Sequence, residues 1–484
     1  MSSKRASWSG SLAFVLAAAA SAIGLGNLWR FPYLAAKYGG GMFIAIYLVL
    51  VVTLGFTLMV TEIAVGRRTQ KAPLLAYSSL HRRWGFVGFL GTMIPLLITP
   101  YYCVIGGWVL YYLKAYAQMA FTGVNAMGEG AANSAEFFTS FISAPFAPFG
   151  YGLIFILACA AVIVLGVKNG IEKSNLVMMP ILFVMAIALS LYVVCLPGSG
   201  EGIKYYLVPN LDCVSTPDGK FSVALLAKTI LGATGQMFYS LSLAMGIMIT
   251  DGSYMNKTDS IERCVRRIEI FDTLIAFIAG LMLIPVIYMF AVKSGTDIHT
   301  AMNQGPGLMF ITLPKVFATF GAAGPWIGMS FFLLVAFAAA TSAISLFEAC
   351  VASACDLLKI DRKASTFFMS ALIMFLSVFS ALGYGAWGHV KMHVFPNDGG
   401  MPFLDFFDFL TNSVLMPIVA IATCVFVGWV MGPKAVIEEC EAEGARFRAR
   451  RLYSFMVKYF APLLMIALLV SEVCRALGIR GWSI

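Results

Sequence analysis

Long apolar runs separated by short polar segments make up most of the chain. A helix needs about 20 mostly apolar residues to cross the ~30 Å hydrocarbon core of a bilayer. Runs of this kind cover residues 11–36, 42–66, 87–119, 150–166, 176–197, 223–250, 268–292, 325–357, 365–383, 403–431 and 454–474. The pattern therefore predicts an all-α polytopic membrane protein with 11 transmembrane helices, which we number as spans one to eleven. The connecting segments 120–149 and 293–324 are long enough to carry short helices of their own.

The composition excludes a soluble protein. Apolar residues make up 60% of the chain and charged residues only 12%, whereas a soluble domain carries about 25% charged residues. The ten cysteines lie mostly inside apolar runs without metal-ligand spacing, which indicates small buried side chains rather than a metal site or a structural disulfide. The four histidines fall in loops or at interfaces, so we do not expect a membrane enzyme.

The distribution of basic residues predicts the orientation in the membrane. The 33 Lys and Arg residues outnumber the 24 Asp and Glu residues. With a cytoplasmic N-terminus, about two-thirds of the basic residues fall in cytoplasmic segments, as the positive-inside rule requires. The excess of positive charge is therefore explained by membrane orientation, and we expect no nucleic acid partner. We expect a multi-pass protein of the cell inner membrane with a cytoplasmic N-terminus and no cleavable signal peptide; an odd number of spans then puts the C-terminus outside.

Two spans are interrupted near their middle by small residues. Span one contains glycine at alternate positions in the segment from Ser21 to Asn27, and span six contains the segment from Ser240 to Gly246, rich in small and hydroxylated residues. Non-helical backbone at membrane depth survives only where it lines a cavity or is buried in protein. Two such breaks in matching places are the best sequence indication of a transporter's binding site. Small residues that permit close helix packing are the alternative explanation.

The positions of the breaks also predict an internal repeat. Each break falls in the first span of a set of five, and because five is odd, the second set must enter the membrane from the opposite side. We therefore expect one transporter domain over residues 1–484, with repeat one at 11–197, repeat two at 223–431 and an extra helix at 454–474.

Asp272 lies inside span seven, where the burial of an acidic side chain is costly. An ionisable group inside a span indicates function by default, and a cation with neutral oxygens from Asn27 and Ser240 is the expected compensation. Two alternatives are that Asp272 caps the helix, or that it pairs with Arg266 or Arg267 near the cytoplasmic surface.

Other polar positions suggest a second ion site and two gates. Ala338, Thr341, Ser342 and Ser345 share one face of span eight and would suit a hard monovalent ion or, equally, a packing stripe. Arg30 with Asp405 or Asp408 at the outer side, and Arg5 with Asp356 at the inner side, would form ion pairs that open at modest cost. Each of these residues is also compatible with an ordinary interfacial charge.

Several motifs resemble those of the neurotransmitter:sodium symporters, in their bacterial amino-acid-transporting branch. The motifs are Trp8, Ala22-Ile23-Gly24-Leu25-Gly26-Asn27-Leu28-Trp29-Arg30-Phe31-Pro32-Tyr33, Gly39-Gly40-Gly41, Gly235-Gln236-Met237-Phe238-Tyr239-Ser240-Leu241-Ser242-Leu243, Phe310-Ile311-Thr312-Leu313-Pro314 and Thr341-Ser342. The resemblance covers nearly the whole chain, and the motif in span one is highly specific.

The resemblance implies two sodium sites, a substrate pocket and two gates. Sodium site 1 would use Ala22, Asn27, Ser240 and Asp272 with the substrate carboxylate, and sodium site 2 would use Ala20, Ile23, Ala338, Thr341 and Ser342. The pocket would be lined by Ser21, Ala22, Gly24, Leu25, Gly26, Ile98, Tyr102, Tyr239, Ser240, Ser242, Met245, Ser342 and Leu346, with Tyr102 on the carboxylate and Tyr239 as the lid. The outer gate would be Arg30 and Asp408, with Asp405 one turn earlier, bridged by Gln236; the inner gate would be Arg5, Trp8, Tyr254 and Asp356.

Departures from the family pattern bear on the anion and the substrate. Asp272 stands where animal members, which resemble this chain but need chloride, have asparagine, so the resemblance implies that no chloride is required. Glycine at position 24, where monoamine carriers have aspartate, leaves room for a substrate carboxylate. Ala244 and Ile98 reduce the pocket, whereas the flexible Met245 admits larger groups, so the size of the substrate side chain stays open.

The sequence thus predicts a sodium-coupled symporter that imports neutral, hydrophobic or small apolar amino acids by alternating access, as a monomer or weak dimer in the lipid bilayer. A proton-driven carrier of another solute on the same architecture, a channel and a non-transporting amino-acid sensor are the alternatives.

Overall fold

The computed structural model describes residues 6–127, 133–216, 218–302, 305–394 and 399–477. Within these residues nine helices are long and apolar enough to cross a membrane. They are Gly41–Thr69, Arg82–Thr122, Ala147–Val164, Val167–Val194, Ile261–Ser294, Gly321–Leu358, Arg362–Leu382, Phe403–Val430 and Arg450–Ala476. They correspond to spans two to five and seven to eleven, and the helical membrane fold is confirmed.

Span one is broken where the alternating glycines predict. It consists of Ser11–Ala22 and Gly26–Lys37, which are bent by 55° at the break and together form a tenth candidate span among the described residues. The short first helix ends at Ala22, and the next residue, Ile23, already has an extended backbone (φ −76°, ψ 98°).

Span six is broken as well. Its helices are Val223–Ser240 and Ile247–Ser253, and between them Ser242, Ala244 and Gly246 have φ angles of 52°, 57° and 72°. A right-handed helix cannot continue through residues with left-handed backbone. Both breaks predicted from small residues are therefore present. The total of eleven spans, which counts the two halves of span six together, and the inverted relation of the repeats remain predictions.

Span seven begins earlier than the hydrophobic pattern predicts. Its helix, Ile261–Ser294, is capped by Ser260, whose hydroxyl accepts a hydrogen bond from the Arg263 N–H (3.4 Å). The polar residues before 268 continue the helix beyond the apolar run. Asp272 consequently lies about three turns inside the helix, which rules out the alternative that it caps the helix.

The helices outside the spans fix the two ends of the bundle. Ser134–Ser143, Ile298–Ala301 and Leu308–Ala318 lie in the two long connections, as expected. At the opposite end, the buried Arg67 guanidinium binds Glu439 of the helix Pro433–Cys440 through Nε (2.9 Å) and the carbonyl of Asp259 (2.6 Å). This contact ties span two to the segment between spans ten and eleven. All ten cysteines are free thiols.

Candidate substrate and ion site

Asp272 is fully buried and is held by neutral donors. Its Oδ1 accepts hydrogen bonds from the Asn27 amide (2.7 Å) and the Ser240 hydroxyl (3.0 Å), and its Oδ2 accepts from Ser240 (3.0 Å) and the Tyr47 hydroxyl (3.3 Å). Within the described residues no basic side chain lies within 4.0 Å of this carboxylate, and Arg266 pairs with Glu269 instead (3.1 Å). A buried carboxylate without a positive partner is costly. The site therefore calls for a cation or a proton.

At the break in span one, two backbone N–H groups form hydrogen bonds with side chains instead of helical carbonyls. The N–H of Gly24 donates to the Asn27 side-chain oxygen (3.1 Å), and the N–H of Leu25 donates to the Tyr102 hydroxyl (3.3 Å). In an uninterrupted helix these N–H groups would bind the carbonyls of Ala20 and Ser21. The break thus releases both carbonyls, and that of Ser21 accepts from Ser342 (3.0 Å).

Asn27 presents its amide nitrogen, not its oxygen, to Asp272. A cation bound between these two residues would require the Asn27 oxygen, so its amide group would have to turn over. The amide oxygen now holds the Gly24 N–H, and ion binding at this point would therefore rearrange the break itself.

The second predicted ion site is a cluster of oxygens between spans one and eight. The Ser342 hydroxyl lies 3.2 Å from the carbonyl of Ile23, and the Thr341 hydroxyl lies 3.1 Å from the carbonyl of Ala338. All four residues are buried. The carbonyl of Ala20, the fifth predicted ligand, is released by the break in span one as described above. Unwound carbonyls and hydroxyls of this kind suit a small hard cation.

A cavity of about 30 Å³ lies between the two breaks. It is lined by Ser21, Ala22, Gly24, Leu25, Gly26, Asn27, Ile98, Tyr102, Tyr239, Ser240, Ser242, Met245, Ile247, Ser342 and Leu346. The structure thus brings together all of the residues predicted for the substrate pocket and adds Asn27 and Ile247. A cavity of this size holds only one or two water molecules.

Gly24 is required where the chain passes Tyr102 and Ser342. A Cβ atom at this position would lie 2.6 Å from the Ser342 Oγ and 2.9 Å from the Tyr102 hydroxyl. Any side chain here would displace these two polar groups. The hydroxyls and backbone groups face the cavity together with the apolar side chains of Ile98, Met245, Ile247 and Leu346, so the lining suits an amphipathic solute with an apolar side chain.

A larger vestibule of about 230 Å³ lies above this cavity. We call the side of the membrane on which Trp8 lies the inner side and the opposite side the outer side, following the predicted orientation. Leu25, Tyr102 and Tyr239 line both the vestibule and the cavity. They form the partition between the two compartments.

The outer gate residues line the vestibule without forming the predicted ion pair. In the part of the chain that the structure describes, Arg30 makes no ion pair; its guanidinium lies 5.4 Å from the centre of the Tyr239 ring. Asp408 accepts hydrogen bonds from Tyr101 (3.1 Å) and Asn412 (2.6 Å). The predicted gate is therefore open in this structure.

Asp405 and Gln236 also have contacts other than those predicted. Asp405 accepts from the Tyr384 hydroxyl (2.8 Å). Gln236 donates to the carbonyl of Gly26 (3.2 Å), while its buried side-chain oxygen has no partner in the described chain. Gln236 thus braces the break in span one and, among the described residues, does not bridge Arg30 and Asp408.

The inner side is closed by Trp8. Trp8 is 2% exposed, and its indole N–H donates to the carbonyl of Asp251 (3.0 Å). Its backbone N–H donates to the carbonyl of Tyr254 (3.1 Å), and the rings of Trp8 and Tyr254 meet edge to face at 6.0 Å. Trp8 and Tyr254 are therefore brought together, as predicted.

The predicted Arg5–Asp356 ion pair of the inner closure stays a prediction, and the structure adds a second ion pair on this side. Asp356 accepts a hydrogen bond from the backbone N–H of Ala72 (2.6 Å), and its predicted partner Arg5 lies outside the described residues. The second ion pair joins Arg362 to both oxygens of Glu348 (3.0 and 2.5 Å), and Glu348 also accepts a hydrogen bond from the Tyr254 hydroxyl (2.7 Å).

Sequence reasoning missed Glu348 and also Glu62. Glu62 is buried in span two and accepts the N–H of Ala244 (2.6 Å), one of the residues with left-handed backbone in the break of span six. It therefore satisfies a backbone group that the break leaves without a helical partner. Both residues carried a signal, because each is an acid inside an apolar span.

Comparison with known proteins agrees with this architecture. The model of the sodium:neurotransmitter symporter family matches residues 5–126 and 149–480. An uncharacterised sodium-dependent transporter YhdH of Bacillus subtilis is 33% identical over 467 residues, which cover 96% of each chain. The human sodium- and chloride-dependent GABA transporter 2 is 27% identical over 90% of this chain and 75% of its own length.

A solved structure has the same fold. The crystal structure of MhsT in complex with L-phenylalanine superposes with a TM-score of 0.82 at 31% identity and covers 97% of this chain and 100% of that one. The two broken spans, the cavity between them and these matches over nearly the full length lead to one conclusion. The chain belongs to the sodium:neurotransmitter symporter family.

Proposed function

We propose that the protein is a sodium-coupled symporter that imports neutral amino acids with hydrophobic side chains by alternating access and needs no chloride. The observation that carries the proposal is the buried carboxylate of Asp272, which neutral donors alone hold at the point where the two broken spans meet.

Sodium at site 1 would neutralise this carboxylate. Asp272, Ser240, the carbonyl of Ala22 and the reoriented amide of Asn27 would supply its ligands, together with the carboxylate of the substrate. Because the substrate itself is a ligand, binding of sodium and binding of the amino acid would strengthen each other. Asp272 is a fixed negative charge beside the ion, so an external anion has no role to fill.

Sodium at site 2 would join spans one and eight. Its ligands would be the carbonyls of Ala20, Ile23 and Ala338 and the hydroxyls of Thr341 and Ser342. In this structure the Thr341 hydroxyl donates a hydrogen bond to the Ala338 carbonyl, and the Ser342 hydroxyl donates one to the Ile23 carbonyl. An ion would take the place of these hydrogen bonds and hold the outer half of the cavity in its binding shape.

The lining of the cavity supports an α-amino acid as the substrate. The Tyr102 hydroxyl and the backbone beside Gly24 are placed to bind a carboxylate, and the absence of a side chain at Gly24 leaves room for it. The apolar residues Ile98, Met245 and Ile247 would face the side chain. MhsT, which has been solved with L-phenylalanine, shares this fold, and Met245 can adapt to side chains of different size.

The gates support alternating access. The vestibule is open to the outer side, while Trp8 and the Glu348–Arg362 pair close the inner side. Closure of Tyr239 and of the Arg30–Asp408 pair over the substrate would precede opening of the inner contacts. Every residue in this scheme belongs to one chain, so a monomer in the inner membrane, with its N-terminus in the cytoplasm, would suffice.

Uptake into proteoliposomes tests the proposal. We expect labelled hydrophobic amino acids to accumulate with an inward sodium gradient and not with potassium, and to accumulate equally in chloride and in gluconate. Uptake that persists without sodium and follows a pH gradient would refute sodium coupling and favour a proton at Asp272. Binding without uptake would indicate a sensor.

A further inference from the structure

Asp251 is a buried acid that the proposed transport cycle does not use. It lies in the inner half of span six, in the helix Ile247–Ser253, and is 4% exposed. Its backbone carbonyl accepts the Trp8 indole N–H (3.0 Å) and the backbone N–H of Tyr254 (3.1 Å). Its side-chain Oδ2 is buried and has no hydrogen-bond partner among the described residues. The acid therefore lies directly beneath the contact that closes the inner side.

No positive group compensates this carboxyl within the described chain. Its helix packs against Ser11–Ala22, Phe56–Thr69, Pro73–Leu80 and Gly324–Leu358. The ionisable side chain on these elements whose charge acts on Asp251 is Glu348, which repels a negative charge there. The other acidic and basic side chains on these elements, and Tyr77, are engaged elsewhere: Glu62 with the Ala244 N–H, Arg67 with Glu439, Arg68 with the Ala435 carbonyl, Tyr77 with Thr423, and Asp356 with the Ala72 N–H. The remaining ionisable groups on them are the free thiols of Cys350 and Cys355. Arg362 is occupied by both oxygens of Glu348.

An ionised Asp251 would be far more costly here than a neutral one. A buried charge without a partner is penalised much more strongly than a buried neutral polar group, and the repulsion from Glu348 adds to that penalty. Once Trp8 leaves and water enters from the inner side, the carboxylate would be hydrated and its ionisation would no longer be penalised.

We propose that Asp251 carries a proton while the inner side is closed and releases it to water when the inner side opens. The O–H bond of the carboxylic acid breaks, the proton passes to inner-side water, and on closure the carboxylate takes a proton back from the same side. No net proton transport results. Acidity on the inner side instead holds the gate shut.

The sign and size of the effect follow from linkage. The closed state binds one proton more than the open state, so falling pH favours closure and rising pH favours opening. For a single proton the ratio of closed to open molecules changes by at most tenfold per pH unit. That the Trp8 contact acts as a gate rests on the proposed function. The pH dependence of the contact can nevertheless be measured without transport.

Hydrogen–deuterium exchange of the full-length protein in nanodiscs tests the inference. The backbone of residues 6–12 and 247–255 reports on the Trp8 contact, and its exchange is measured in potassium buffer at pH 6, 7 and 8 and corrected for intrinsic rates. We expect protection of both segments to fall by up to tenfold per pH unit in the wild type. Asp251→Asn should keep closed-like protection at every pH, because its side chain is always neutral.

Controls separate this inference from a purely structural effect. Asp259→Asn changes an acid in the segment between spans six and seven, after the helix that carries Asp251, and should retain the wild-type pH dependence. If Asp251→Asn does not fold, Asp251→Ser provides a second neutral side chain. A flat pH profile in the wild type, or a wild-type profile in a folded neutral variant, would overturn the proposal. If the exchange profile is as expected but sodium-driven uptake is absent, the proposed function is refuted and this inference still stands.

Discussion

Replacing Asp272 with asparagine removes one negative charge and preserves the size of the side chain. The two hydroxyls that contact Asp272, from Ser240 and Tyr47, can accept as well as donate hydrogen bonds. The asparagine amide can therefore be accommodated, with its oxygen on the Asn27 amide and its nitrogen toward the hydroxyls. We expect the variant to fold and to differ from the wild type chiefly in charge.

The loss of charge sets the size of the effect. Two opposite unit charges about 4 Å apart attract each other by roughly 4 kcal/mol at an effective dielectric constant of ~20. Since about 1.4 kcal/mol corresponds to a factor of ten, the affinity for sodium should fall by about a thousandfold. In potassium buffer the substitution should instead stabilise the protein, because the variant no longer buries an uncompensated carboxylate. Its melting temperature without sodium should equal or exceed that of the wild type.

Sodium titrations of substrate binding and thermal unfolding in sodium and potassium measure both effects. The matched control is Glu269→Gln, which removes a buried acid from the same helix but one that Arg266 already pairs; its sodium affinity should stay near that of the wild type. Titration of the Asp272 variant in chloride and in gluconate shows whether an external anion restores binding, as we expect. An unchanged sodium affinity, or a lower melting temperature in potassium, would refute the role of Asp272 as an ion ligand.

Three further predictions concern the pocket, the second ion site and the inner closure. Gly24→Ala should abolish substrate binding because its Cβ would lie within 3 Å of two polar groups, whereas Gly150→Ala, which meets nothing within 4 Å, should bind normally in the same assay. Ser342→Ala removes a hydroxyl from the proposed second sodium site and should weaken sodium binding by about tenfold, the value of roughly one hydrogen bond; a titration that matches the wild type would exclude the site. Arg362→Gln leaves Glu348 buried without its partner and should lower the stability of the closed form by about 3–5 kcal/mol, seen as faster hydrogen exchange around Trp8, and unchanged exchange would contradict the assigned closure.

The hydrophobic pattern and the small-residue segments predicted most of the architecture. The runs marked the long helices because hydrocarbon thickness sets their length, and glycine and serine marked both breaks because they weaken a continuous helix. The ends of the helices were predicted less well, as in span seven, where a capping serine at position 260 extends the helix into polar sequence. The membrane imposes no pattern on residues beyond its surface.

The contacts between distant charges could not be predicted. Glu348 and Arg362 are separated by the end of span eight, and their pairing depends on how the next helix turns back. The partner of Glu62 is a backbone N–H, which carries no sequence signal at all. The sequence predicted that Asn27 lies beside Asp272, which the structure shows, but the direction of its amide follows from the backbone of the break and not from residue type.

The position of Arg30 on the face of Tyr239 has a kinetic consequence. A guanidinium over the ring of a half-buried tyrosine that faces a water-filled vestibule is stabilised by about 1 kcal/mol, close to thermal energy, and its exchange for a hydrated carboxylate is worth a similar amount. A solute that arrives from the outer side would then have to break only weak interactions. The speed of capture would be governed by diffusion and dehydration, and the slow step of turnover would lie deeper, where packed surfaces must separate.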